Sequence, residues 1–78
     1  LAIKIDDIKL YPSVTDDYVN ISIQEYSGSI QTEIYALNGN LMSVQSGNRL
    51  SFNKFKSGIY FCVVIYGEKN KTLRVVKL

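Results

Sequence analysis

Asp6-Asp7 and Asp16-Asp17 are the paired carboxylates of this chain, Cys62 is its one thiol, and it contains no histidine. Paired acids work as acid and base, or hold a hard cation, when their oxygens converge. Adjacent strand residues point to opposite faces, so neither pair converges on one proton or metal. Both read as solvated turn acids, with at most a weak calcium contact. The serines lack the histidine that would activate a hydroxyl nucleophile. Cys62 lies mid-strand among bulky apolar neighbours with no cation beside it, which marks an inert core residue. A lone cysteine also rules out an internal disulfide and a cysteine-based zinc site. No phosphate loop, dinucleotide fingerprint or zinc motif is present. An enzyme is therefore not expected, and neither is a cofactor or metal.

What remains is aromatic and cationic. Six tyrosines could form a sugar-stacking surface, the best case for a carbohydrate-binding or fibronectin-like accessory module, but no tryptophan supports them. Tyr35 and Tyr60 fall in strands, where packing is the default. The net charge is only +2 yet unevenly spread. Residues 1–48 set two lysines against six carboxylates, and residues 49–78 set seven cations against Glu68. Either acidic and basic strands neutralise each other across a sheet, or a basic face docks on an acidic partner. The cations are scattered and match no nucleic-acid motif, so no nucleic-acid partner is expected.

The elements that carry these residues alternate with period two. In YVNISI, Val19, Ile21 and Ile23 share one side, and in IQTEIYAL, Ile30, Thr32 and Ile34 do the same. Such alternation marks half-buried strands. Pro12, Ser27-Gly28-Ser29, Gly47-Asn48, Ser57-Gly58 and Gly67–Lys71 punctuate them. Asn38-Gly39 is the strongest turn signal, since both residues tolerate the positive φ of a type I′ hairpin. Strands are expected near 3–10, 18–24, 30–37, 40–46, 49–53, 59–66 and 72–78. About seven short antiparallel strands point to an all-β, immunoglobulin-like β-sandwich.

IYFCVVIY is apolar throughout. Tyr60, Cys62 and Val64 are expected to face the core, leaving Ile59, Phe61, Val63 and Ile65 as a second apolar row. That row is either shielded by a loop such as Lys54-Phe55-Lys56 or exposed for a partner.

At 78 residues, one domain over 1–78 is expected, with residues 1–9 partly a linker to an upstream segment. No apolar run approaches the roughly 20 residues of a membrane helix. Lys4, Asp6, Asp7 and Lys9 interrupt any signal-peptide core. A start at Leu1 reads as a piece of a longer precursor.

The order of motifs is more telling than any one of them. LYPSVTDDYVNISI, then IYALNGNLM, then KSGIYFCVVIYGEKNKTLRVVKL resembles the C-terminal sorting domain of the bacterial type IX secretion system over about residues 8–78. Such domains open on a Tyr-Pro-Asn-Pro-like turn, pass an Asn-Gly turn and a Gly-x-Tyr strand, and close on a short lysine-containing strand. Here Ser13 and Val14 replace the second half of the opening turn, and Arg74 stands where lysine is common. Pro12 still fixes φ there.

The resemblance implies an address tag in a Gram-negative bacterium. The cargo reaches the periplasm by an ordinary signal peptide. An outer-membrane translocon then reads the tag, and a surface sortase removes it before or near Leu1 and joins the cargo to lipopolysaccharide. Gly58 would launch the penultimate strand and Tyr60 anchor it. Lys71, Arg74, Val75, Val76, Lys77 and Leu78 would form the strand that is read, with Pro12, Asn38 and Gly39 as structural turns. If that strand lies at a sheet edge, a receptor could pair with its backbone and with the Arg74 and Lys77 charges together. The plain alternative is that Val75, Val76 and Leu78 complete the core. An exposed edge strand could also pair between copies, as in a strand-mediated dimer.

Overall fold

A computed structural model describes residues 8–78. Of the expected opening strand, residues 3–7 lie outside the described residues, and so do Asp6-Asp7 and most of the linker at 1–9. The described chain is all-β, and its eight strands form two sheets. The smaller sheet orders β1 (Ile8–Tyr11), β3 (Tyr18–Ile23) and β6 (Arg49–Ser51) as β1-β3-β6. The larger contains β2 (Val14–Thr15), β4 (Ile30–Ala36), β5 (Leu41–Ser46), β7 (Gly58–Tyr66) and β8 (Lys69–Lys77), in the order β2-β8-β7-β4-β5.

The alternation decides which side chains meet between the sheets. Val19 and Ile21 of β3 and Leu50 of β6 pack against Thr32 and Ile34 of β4, Tyr60, Cys62 and Val64 of β7, and Val75 of β8. Phe52 closes one end of this core and meets the rings of Phe55 and Tyr60 edge-on, at centroid distances of 5.3 and 5.8 Å. Burying such side chains contributes roughly 1.5–3 kcal/mol each. Two layers, each apolar on one face, suffice to exclude water.

The all-β sandwich is as expected, with eight strands against about seven, the addition being β2, too short to leave a periodic trace. The strands are, however, not all antiparallel: β2 runs parallel to β8, with Val14 opposite Val76 and Thr15 opposite Lys77. The chain leaves β1 through Pro12 and passes from the small sheet to the large one; the Tyr11-Pro12 peptide bond is cis. Finally, the Asn38-Gly39 turn is not type I′. Only Gly39 has positive φ, at 92°. Gly39 N–H donates to Ala36 O and Ala36 N–H to Asn40 O, each at 2.9 Å, which makes a three-residue loop. The Asn38 side chain accepts from Asn40 N–H at 3.1 Å, so asparagine acts here through its oxygen.

The second apolar row of β7 is not shielded by the 54–56 loop. Phe55 turns inward and stacks on Tyr60 at 5.2 Å. Ile59, Phe61, Val63 and Ile65 stay half-buried on the outer face, beside their cross-strand neighbours Tyr35, Glu33 and Gln31 of β4 and Val76, Arg74, Thr72 and Asn70 of β8.

Candidate functional site

The four sequence signatures, far apart along the chain, meet at one end of the large sheet. Registers decide this. Ala36 lies opposite Tyr60, Gly58 opposite Lys77, and Val14 opposite Val76. The opening turn, the Asn-Gly turn, the Gly-x-Tyr segment and the end of β8 are therefore neighbours. Between the Asn-Gly turn and the start of β7 lies a shallow groove lined by Leu37, Asn38, Gly58 and Ile59 among others.

Each signature has a local physical cause. Gly58 starts β7 at φ 155°, a conformation that side-chain-bearing residues rarely adopt. Two residues on, Tyr60 is buried, and its hydroxyl donates to Lys56 O at 2.7 Å. That bond ties the loop before β7 to the core. At the other signature pair, Val76 N–H donates to Ser13 O at 2.8 Å and Leu78 N–H to Thr15 O at 2.9 Å. Thr15 is itself held: its hydroxyl donates to Tyr18 O at 2.8 Å and accepts from Asp17 N–H at 3.1 Å.

The terminal strand is consequently no open edge over its last residues, because β2 occupies that side. Nor do its cations stand together. Arg74 and Lys77 are three residues apart on a strand and so face opposite sides of the sheet. Arg74 is exposed on the outer face opposite Phe61. Lys77 is half-buried, with its ammonium donating to Leu78 O at 3.1 Å. Lys71 shares the inward parity of Val75 and lies opposite Val64 at the far end of β8. Val75 is fully buried, Val76 half-buried on the outer face, and Leu78 63 % exposed. Accessible together at the signature end are Val14, Val76 and Ile59, in register on the outer face, with Arg74 and Leu78 beside them.

Most of the tyrosines pack or brace, and Tyr11 and Tyr18 are the exposed ones. Tyr60 and Tyr66 are buried, and Tyr35 donates to Glu33 Oε1 at 3.0 Å, a bond that raises the Tyr35 pKa. The Arg49 guanidinium covers the Tyr18 ring at 4.2 Å. Tyr26 is a brace: its hydroxyl donates to Ser29 O at 2.6 Å, accepts from Gly67 N–H at 2.9 Å, and fills the space a Gly28 side chain would need. Cys62 is buried and its thiol pKa is pushed up to about 12 by desolvation, as suits a packing residue. Among the described residues, Asp16 and Asp17 join no cluster of three potential metal ligands.

Sequence reasoning missed β2 and the Ser13 carbonyl, although both follow Pro12 directly. The only signal was the β-branched pair Val14-Thr15, too short to read as a strand.

A two-layer β-sandwich that gathers its signatures at one end of one sheet is the class of domain defined so far. The chain belongs to the type IX secretion system C-terminal sorting domains: the model of the family described as secretion system C-terminal sorting domain matches residues 9–78. It is thus a sorting signal, a type of domain that is in general non-catalytic, is carried by a cargo chain and engages the type IX machinery. Its destination is the bacterial cell surface or the medium. No curated protein matches the chain.

Proposed function

We propose that residues 1–78 are one sorting domain, joined through their first residues to an upstream cargo, and that the signature end of the large sheet is what the outer-membrane translocon reads. The observation that carries this is the family match over 9–78, taken with the convergence of the four signatures. Val14, Ile59, Val76 and Leu78 offer apolar contact, and Arg74 supplies the cation. Gly58, Tyr60 and Val75 act through the fold that presents them. Cargo crosses the periplasm and then the outer membrane. A surface sortase then cleaves upstream of the sandwich and transfers the cargo to lipopolysaccharide. The domain itself is a ligand without catalytic activity.

The test fuses the chain behind a periplasmic reporter in a bacterium with type IX machinery. Truncating β8 is uninformative, because it strips Leu73 and Val75 from the core. The informative variant is Arg74→Glu with Val76→Lys, both on the outer face. Lost surface display with unchanged thermal unfolding is the expected result. Full display by that variant would reject this face as the reading surface, and failure of the native chain to export the reporter would reject the sorting role.

A further inference from the structure

The large sheet ends on one side in β2, which covers only Val76 and Lys77 of β8, and on the other in β5, which has no strand neighbour on its outer side along its whole length among the described residues. Alternation fixes which groups point outward. Gly47 N–H donates to Ile30 O at 2.9 Å across the β4–β5 pair, so Gly47, Gln45 and Ser43 turn their backbone groups toward β4. Val44 and Ser46 turn theirs away. The adjacent edge of the small sheet is blocked. The Gln45 side-chain amide donates to Ser51 O at 2.9 Å and accepts from Ser51 N–H at 2.8 Å, taking the place of a neighbouring strand at β6.

The side chains around the open edge are apolar and uncharged. Leu37, Leu41, Met42 and Val44 are between 45 % and 66 % exposed, half of the large hydrophobic residues exposed in the described structure. From Leu37 to Asn48 the sequence carries no charge and no proline. Edge strands are ordinarily protected by lysines, prolines or inward charges. Here that protection is missing, over one short stretch, in a chain with charges elsewhere.

We propose that β5 pairs antiparallel with β5 of a second copy of this chain, forming a two-fold dimer with one continuous sheet. The occupant follows from the chemistry of the edge. It must be an extended segment with free N–H and C=O groups, without charge, apolar at the outward-facing position. β5 of another copy meets each requirement, and no like charges oppose each other across the axis. Centring the axis on Val44 places this residue against its own copy, with the N–H and C=O groups of both exchanged. The signature end of β8 and β2 lies at the opposite edge and stays accessible, so the pairing is compatible with the sorting role without resting on it.

Sedimentation velocity of the 78-residue chain from about 10 µM to about 1 mM tests this, since so small an interface is expected to be weak. The expected result is a concentration-dependent rise from monomer to dimer. Val44→Lys should weaken it by about tenfold or more by opposing two cations. Ser46→Pro removes an outward N–H and should weaken it without breaking the β4 ladder. Thr72→Lys, on the outer face of β8, should leave the dimer unchanged. Val44→Cys should give a disulfide-linked dimer on mild oxidation, and buried Cys62 does not compete. A native chain that stays monomeric at the highest concentration overturns the proposal. So does a dimer that survives both Val44→Lys and Ser46→Pro, or one that Thr72→Lys abolishes.

Discussion

The two hairpins of the large sheet make opposite uses of similar geometry. β7–β8 pairs nine residues with nine, from Gly58 opposite Lys77 to Tyr66 opposite Lys69. Its loop is two residues, with Gly67 at φ 60° as the first. β4–β5 is shorter, turns through three residues and carries a bulge between Ile34 and Tyr35. β2 covers β8 only at Val76 and Lys77, and the rest of that strand, from Lys69 to Val75, carries three cations. The outer side of β5 has no strand neighbour among the described residues, and β5 carries no charge. The two edges thus differ in protection: β8 combines charge with a short covering strand, and β5 has neither.

That contrast can be broken in measurable ways. Tyr60→Ala, at the signature end of β7, removes a buried ring and the bond to Lys56 O, and should cost about 3–5 kcal/mol in urea unfolding. Val44→Ala on the open edge should stay within about 0.5 kcal/mol. Comparable losses at both sites would erase the distinction. Thr15→Val leaves Tyr18 O and Asp17 N–H without their partner and should cost about 1–3 kcal/mol. Amide exchange at Val76 and Leu78 should accelerate in that variant while exchange along β4 keeps pace with global stability. Unchanged protection at those two amides would mean that β2 does not hold the end of β8.

Smaller effects sharpen the picture of the shared core. The Thr32 hydroxyl lies fully buried without a hydrogen-bond partner, in the middle of β4. Thr32→Val keeps the shape and should raise stability by about 1 kcal/mol, read as a higher urea midpoint at constant slope. Cys62 produces a pH effect that is absent near neutrality. Its folded-state pKa is raised from 9.0 to about 12, so its contribution is intact below pH 9 and declines as the pH rises from there toward 12. Cys62→Ala should flatten that alkaline loss. An equally steep decline in the variant would assign it to other groups.

Much of the fold was legible because strand alternation is a local property. Val19, Ile21, Tyr60, Cys62 and Val64 face the core as their spacing requires. Turn residues punctuated most strand ends to within a few positions. The last strand was read as starting at 72 because Glu68-Lys69-Asn70-Lys71 looks like a loop. Pairing with β7 extends it back to Lys69, since a partner strand outweighs weak local preference. The candidate site was legible as a list of signatures but not as a place. Arg74 and Lys77, linked by proximity in sequence, are separated by the pleat.

The sequence by itself determined the strand content, the apolar faces, the turn positions and the order of signatures that identifies the family. Each depends on residues within a few positions of one another. Only the tertiary structure decided that β2 crosses to the large sheet, that the four signatures share one end, and that β2 caps the end of β8 while β5 has no strand cover on its outer side among the described residues. Those facts depend on which strands pair and in what register. Backbone hydrogen bonding sets both across long separations, and backbone groups are the same in every residue except proline.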